Sequence, residues 1–272
     1  MSIVIREIET DEMRAVEDLQ VEIWGVSERE VLPSLALTPL KEVGGVLLGA
    51  FDVNVMVGFV FGFPGFEAGQ PTLHSDMLAV KTEYRSLGLG YRLKLAQREY
   101  ALARGLNRIT WTFDPLQSRN AHLNFSKLGV LSNRYCPDYY GTTSSFLHQT
   151  GTDRLWVTWL LGSERVTTRV EKKQRPTVST NLDNAQVLLE QDAYQEPVTA
   201  AEVPSASFAV IEIPSDINTV IVNDIQLARR WRNATREAFT NAIKLGYMVE
   251  EFYGLERRER ETGVYLLKKD AG

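Results

Sequence analysis

The stretch from Thr72 to Glu99, TLHSDMLAVKTEYRSLGLGYRLKLAQRE, limits what this chain can fold into more than any other. From Leu73 to Val80 apolar residues alternate with His74, Ser75 and Asp76 and then run Met77-Leu78-Ala79-Val80, the pattern of a mostly buried strand. From Tyr91 to Leu106 the residues Leu93, Leu95, Ala96, Tyr100, Ala101 and Ala103 recur among Arg, Lys, Gln and Glu, the pattern of an amphipathic helix. Between the two lies Arg85-Ser86-Leu87-Gly88-Leu89-Gly90. A strand that enters a helix through a glycine turn leaves the first-turn amide hydrogens unpaired, and the positive end of the helix dipole adds to them. Such a turn is built to take a phosphate, or uses its glycines only for close packing and left-handed geometry. The dinucleotide fingerprint is excluded because its third glycine and the following acidic residue are missing, and the P-loop because no Gly-Lys-Ser/Thr follows.

The turn, the strand before it and the helix after it resemble the pyrophosphate loop of the GNAT superfamily of acyl-CoA-dependent N-acyltransferases, whose pattern is Arg/Gln-x-x-Gly-x-Gly/Ala. Arg85, Gly88 and Gly90 fill its three fixed places, and Tyr84 and Leu78-Ala79-Val80 also match. The resemblance covers about residues 1–160. It implies an α/β fold with a mixed, splayed central sheet flanked by helices and an acyl-pantetheine arm lying in the splay.

The rest of the chain reads in the order β, α, α, β, β, β, α, β, α. Ser2–Glu9 alternates as a strand, Thr10-Asp11 is placed to cap a helix over Glu12–Trp24, and Ser27–Leu40 is a short helix and loop interrupted by Pro33 and Pro39. Val46–Phe51 and Val55–Phe63 form a hairpin, with a loop at Phe63–Phe66 before the central strand. Arg108–Phe113 is a strand, Asn120–Leu128 a helix closed by Gly129, and Asp153–Leu160 a closing strand. Residues 161–207, rich in Lys, Ser, Thr and Pro, read as a long connection with a helical turn near Ala185–Leu189. From 208 to 272 a β-α-β-β unit follows: Phe208–Ile213, Asn223–Leu245, Tyr247–Tyr253 and Gly263–Leu267. This extension echoes Arg108–Leu160 as a partial repeat of the superfamily fold, and the combination resembles a bacterial branch of that superfamily. Its helix carries Arg229, Arg230, Arg232 and Arg236, read as a solvated face over buried Trp231 and Phe239, or as arms reaching for an acidic acceptor.

At 272 residues and net charge −5 the chain has ample core and offers no surface suited to nucleic acid or an anionic membrane. No apolar run spans a bilayer, Met1–Arg6 does not read as a signal peptide, and one cysteine, Cys136, excludes a disulfide framework or a cysteine metal cluster. A cytoplasmic protein without a metal is the expectation.

The resemblance also implies roles. Acetyl-CoA or another acyl-CoA is the co-substrate and a small amine the acceptor, with a homodimer left open. The backbone around Arg85, Ser86, Leu87, Gly88, Leu89 and Gly90 holds the diphosphate, Leu78 and Val80 pair with the pantetheine, and the Leu78 amide faces the thioester oxygen. Asn120 binds the pantetheine amides, although Ser118 occupies the strictly spaced place. His74 stands where many members carry a catalytic glutamate; His74 and Asp76 together match the paired histidines of the serotonin N-acetyltransferase type. They supply the base, or His74 makes only a structural hydrogen bond. At the position of the family's acid tyrosine, four residues before the closing glycine, stands Phe125, so either Tyr135, Tyr139 or Tyr140 supplies the hydroxyl, with Tyr139 our choice, or these rings only pack and the acidic CoA thiol leaves unaided. Without that acid, the alternative is a GNAT-fold module that binds acyl-CoA as a sensor and does not turn over.

Overall fold

The computed structural model describes residues 3–174, 176–178, 180–257 and 260–269. The chain divides into two compact units, residues 1–111 with 143–149, and residues 112–142 with 150–272.

In the first unit the elements are β1 (Ile3–Glu7), α1 (Met13–Trp24), α2 (Ser34–Glu42), β2 (Val46–Asp52), β3 (Val55–Glu67), β4 (Gln70–Val80), α3 (Leu89–Ala103) and the start of β5 (Arg108–Phe113). The strands run in the order β1-β2-β3-β4-β5, antiparallel as far as β4, with β5 parallel to β4. On one face, Met13, Val16, Leu19 and Ile23 of α1 and Leu37 of α2 pack onto Leu47, Phe51, Phe59, Phe61 and Met77. On α1 these are four of the five positions whose spacing marks a buried side in the sequence; the fifth, Val21, is exposed, and burial of the rest is the main source of stability.

Three local readings change. Helix α1 opens through a 3-10 turn, and Glu12, not Thr10 or Asp11, takes the unpaired amide: its carboxylate accepts from the Glu9 N–H at 2.9 Å and is held by Arg6 at 2.6 and 2.7 Å. Residues Phe63–Phe66 are strand, not loop, because β3 runs on to Glu67 and turns back at Ala68 and Gly69, both at positive φ. Helix α3 buries Leu89, Leu93, Lys94, Gln97, Arg98 and Ala101, leaving Leu95, Ala96 and Tyr100 half-buried. Its inward stripe follows 89, 93, 97 and 101 and is polar on one flank.

The second unit contains a helix that starts as α4 (Ser118–Ala121) and continues as a π turn over His122–Leu128, ending at Gly129 with φ 77°. Then come β6 (Leu131–Cys136), β7 (Arg154–Leu160), α5 (Glu164–Val170), β8 (Gln186–Gln191), β9 (Pro197–Thr199), β10 (Phe208–Pro214), α6 (Ile217–Asn223), α7 (Ile225–Lys244), β11 (Tyr247–Arg257) and β12 (Arg260–Lys269). The strand order is β7-β6-β11-β12-β10-β8-β9, and only β8 and β10 are parallel. The Ala185–Leu189 stretch is therefore strand, not helical turn. Leu188 and Leu189 are buried and β8 lies along β10, a neighbour about twenty residues away that no local pattern reveals. No local pattern marks strand β6, at the start of the aromatic segment, either. It pairs with β7, and Val249 of β11 pairs with its Ser132.

Arg229 and Arg230 of α7 lie on an exposed face, as one of the two readings expected, whereas Arg232 and Arg236 are drawn into ion pairs within the second unit. Arg232 is 2% exposed and grips Asp114 through both nitrogens at 2.8 and 2.7 Å. Arg236 binds Asp153 at 2.8 and 2.6 Å and Asp138 at 2.9 Å, and Arg230 binds Glu196. Trp231 and Phe239 are buried as expected.

Candidate functional site

Strand β4 and the turn after it hold most of the expected site residues, all in the first unit. β4 pairs with β5 only at Leu73–Ile109 and His74–Thr110. Beyond His74 the two strands share no ladder among the described residues, so the β4 edge from Asp76 to Val80 is open toward β5. On its other side β4 pairs with β3, and there the register slips: Phe61 faces Met77 and Phe63 faces His74, so three steps of β4 match two of β3. This bulge breaks the strict alternation that would put His74 and Asp76 on one face. His74 lies on the α1–α2 side, its ring 5.6 Å from that of Phe63, while Ser75 turns toward α3.

His74 is partly buried, and its Nδ1 lies 3.1 Å from the Thr110 hydroxyl. Burial first, and the nearby Lys94 second, depress its pKa from the ordinary 6.5 to about 4, so at neutral pH the imidazole is uncharged. Asp76 opens to solvent on one side, yet the protein around it removes enough water to raise its carboxyl above the ordinary range.

The turn follows directly. A 3-10 segment, Thr82–Leu87, leads to Gly88 at φ 68°, which caps the fifteen-residue α3. Arg85 folds back to donate from Nε to the Val80 carbonyl at 3.2 Å, and the Tyr84 hydroxyl donates to Asp52 at 3.0 Å; together they tie the turn to β4 and β2. Arg85, Ser86, Leu87 and Gly88 are exposed, Leu89 is buried and Gly90 half-buried. A Cβ placed on Gly88 would meet no heavy atom within 4 Å. The glycine is thus required by backbone conformation, and the space in front of it is free for a ligand. An exposed, unobstructed turn at the positive end of a long helix, beside an open strand edge, fits a diphosphate with an extended arm.

The remaining expected residues lie in the second unit. Tyr139 is partly exposed, edge-on to Tyr140 at 4.8 Å and to Trp156 at 6.5 Å, with its N–H on the Thr152 carbonyl. Asn120 is exposed on α4, whereas Asn124 is buried. Tyr135 is turned inward and donates its hydroxyl to Asp153 at 2.7 Å, and burial, ahead of the neighbouring Asp153, raises that hydroxyl above the ordinary tyrosine range. Phe125 is fully buried and edge-on to Phe113 and Tyr265. Of the other histidines, His122 is exposed on the π turn and His148 lies 2.6 Å from the Thr143 hydroxyl.

The sequence reading missed the polar group beneath the bulge. Lys94 Nζ is buried, 2.7 Å from the Ser75 hydroxyl, 3.3 Å from Gln97 Oε1 and 3.7 Å from the centre of the Trp111 ring. The signal was present in the inward stripe of α3, where Lys94 and Gln97 sit beside Leu93 and Ala101. Thr110 gave no such signal, since it becomes a partner of His74 only through the β4–β5 register.

Fold and turn together define an α/β protein with a parallel strand pair that parts after two residues and an exposed glycine turn at the start of a long helix. Residues 7–129, a little under half of the chain, match the sequence model of the Acetyltransferase (GNAT) family. Solved structures similar to the chain include the ribosomal-protein-S18-alanine N-acetyltransferase from Escherichia coli, at 15% identity and TM-score 0.47 over 60% of this chain and 96% of that one. An acetyltransferase of the GNAT family from Streptococcus pneumoniae is 19% identical, TM-score 0.48, over 59% and 100%. A putative acetyltransferase from Salmonella typhimurium, solved with its cofactor acetyl-CoA, is 14% identical, TM-score 0.48, over 60% and 96%. No curated protein matches the sequence. Among the described residues no helix is long and apolar enough to cross a membrane.

Proposed function

We propose that this chain is an acyl-CoA-dependent N-acyltransferase, most simply an acetyltransferase, acting on the amine of a small acceptor. The observation that carries the reading is the Gly88 turn: exposed, unobstructed, and placed where β4 hands over to α3 within the segment that matches the family. Backbone amides from Ser86 to Gly90 would hold the diphosphate, and the free edge at Leu78 and Val80 would take the extended arm. Bound acyl-CoA supplies an activated thioester carbonyl.

The protein's own part is then to polarise and to move protons. The Leu78 N–H is the donor for the carbonyl oxygen. His74, neutral at physiological pH and steadied at Nδ1 by Thr110, accepts the proton that the acceptor's ammonium must lose. Asp76 adds a carboxylate whose raised pKa favours proton exchange near the same strand. Tyr139, exposed and carrying a hydroxyl, serves as the proton donor for the departing sulfur, and Asn120 offers an amide to the arm.

Calorimetry with CoA tests the reading: a full chain with an intact turn that binds no CoA refutes it. A second reading, a binder without turnover, is favoured by Phe125, a buried ring with no hydroxyl at the position of the family's acid. Thioester consumption over a library of amines separates the two. Turnover lost in His74→Ala supports the enzyme, and tight CoA binding without turnover supports the sensor.

A further inference from the structure

Lys94 is a buried amine that the proposed chemistry leaves unused. Among the described residues its contacts are Ser75, Gln97 and the Trp111 ring, and none of these is a carboxylate. A lysine is seldom buried without a counter-charge, and here desolvation alone pulls its pKa well below 10.5. What compensates is local: an indole face under the nitrogen, a hydroxyl and an amide oxygen. Gln97, the residue accepting from Lys94, is itself fully buried, and its Nε2 has no partner among the described residues. A buried charge and an unsatisfied amide are expensive in a core that Leu and Met would fill more cheaply. Their position gives a reason for that expense, because Ser75 is the residue next to His74 in the bulge of β4.

We propose that Lys94 is a positioning residue for the base at His74: a buried ammonium, seated on Trp111, that pins the β4 bulge through Ser75 and sets the electrostatic surroundings of the neighbouring imidazole. The inference rests on the reading of His74 as the base. The geometry supplies two effects. The Ser75 contact fixes the strand on the α3 side while Thr110 fixes the ring on the other, so the imidazole is held from both sides of the bulge. The ammonium also opposes a second positive charge nearby, and little water intervenes to screen it. Other charged groups on the surrounding elements are Asp76 on β4, Arg98 on α3, and the Arg108–Glu67 pair joining β5 to the end of β3 at 3.4 Å. The raised pKa of Asp76 reduces the negative charge that would otherwise offset Lys94 at low pH.

The test is an NMR titration of the histidine rings of the full-length protein, the His74 signal being identified by its loss in His74→Gln. Lys94→Met keeps the length of the side chain and removes the charge. The expected result is an upward move of the His74 titration by about half a pH unit or more, with the acid limb of the kcat/KM profile moving alike. Lys94→Arg, which restores a cation, should titrate close to the wild type. An unchanged His74 titration in folded Lys94→Met overturns the proposal, and so does a Lys94→Arg protein that behaves like Lys94→Met, since packing alone would then be the cause. Should Lys94→Met not fold, carbon-13 labelling of lysine in the wild type decides the matter. A Lys94 Cε shift typical of an ammonium at pH 7 supports the assignment, and one typical of a neutral amine refutes it. None of these titrations needs turnover, so a failure of the acyltransferase reading would show separately, as absent CoA binding.

Discussion

Replacing Gly88 by glutamate probes the diphosphate site with little collateral damage. The φ of 68° places a side chain in the left-handed region, at a cost of about 1–2 kcal/mol, but no heavy atom lies within 4 Å of the new Cβ. Fold stability should therefore drop only by that conformational amount, read as a small fall in the urea midpoint. Ligand affinity should drop far more. A carboxylate about 5 Å from one phosphate charge, at an effective dielectric near 20, costs about 3 kcal/mol, equivalent to roughly a hundredfold weaker Kd for CoA. Gly88→Asn is the control, because asparagine tolerates the left-handed region without bringing a charge, and its Kd should stay within about tenfold of the wild type. The gap between the two variants should narrow as salt rises, since the turn is exposed and its charges are screened. Calorimetry at two ionic strengths reads all of this. A folded Gly88→Glu protein that binds CoA as the wild type does would show that the diphosphate does not lie at this turn.

His74 ties activity and stability to pH. With a folded pKa of about 4 against 6.5 when unfolded, its contribution is full above about pH 6.5 and is lost as pH falls toward 4, by no more than about 3 kcal/mol. As pH falls across that window, the stability of the wild type should drop relative to His74→Gln by up to that amount in urea titrations; a difference independent of pH would refute the shift. Phe125→Tyr should not restore an acid: it buries a hydroxyl among Phe113 and Tyr265 and should cost about 1–3 kcal/mol in denaturation, whereas a stable variant with faster turnover would contradict this. Arg232→Met strands Asp114 and should destabilise the second unit by about 3–5 kcal/mol, so a loss below about 1 kcal/mol would show the pair to be dispensable. Tyr139→Phe should lower kcat at least tenfold at unchanged CoA affinity, and an unaltered kcat would dismiss it as the acid.

Local signals carried the first unit well. The apolar spacing of α1, the run Met77–Val80 and the glycines at 88 and 90 are short-range features, and each acts through backbone conformation or one-sided burial. Where a signal depended on a distant partner it faded. β8 reads locally as polar and weak, yet it forms along β10; Phe63–Phe66 carries Pro64 and Gly65 and still continues a strand because β4 returns alongside it. Arg232 and Arg236 of α7 look like part of the solvated face that Arg229 and Arg230 do form, until Asp114 and Asp153 are brought against them.

By itself the sequence determined that a strand would pass through a glycine turn into a helix, and so that unpaired amides would point outward there, because turn chemistry and helix ends are local properties. It also put a histidine on that strand. Only the tertiary structure decided that β4 would bulge at Ser75, part from β5 after His74, and rest its bulge on Lys94 and Trp111. Those outcomes follow from register between strands and from what packs beneath them, and register is a relation between residues far apart in the chain.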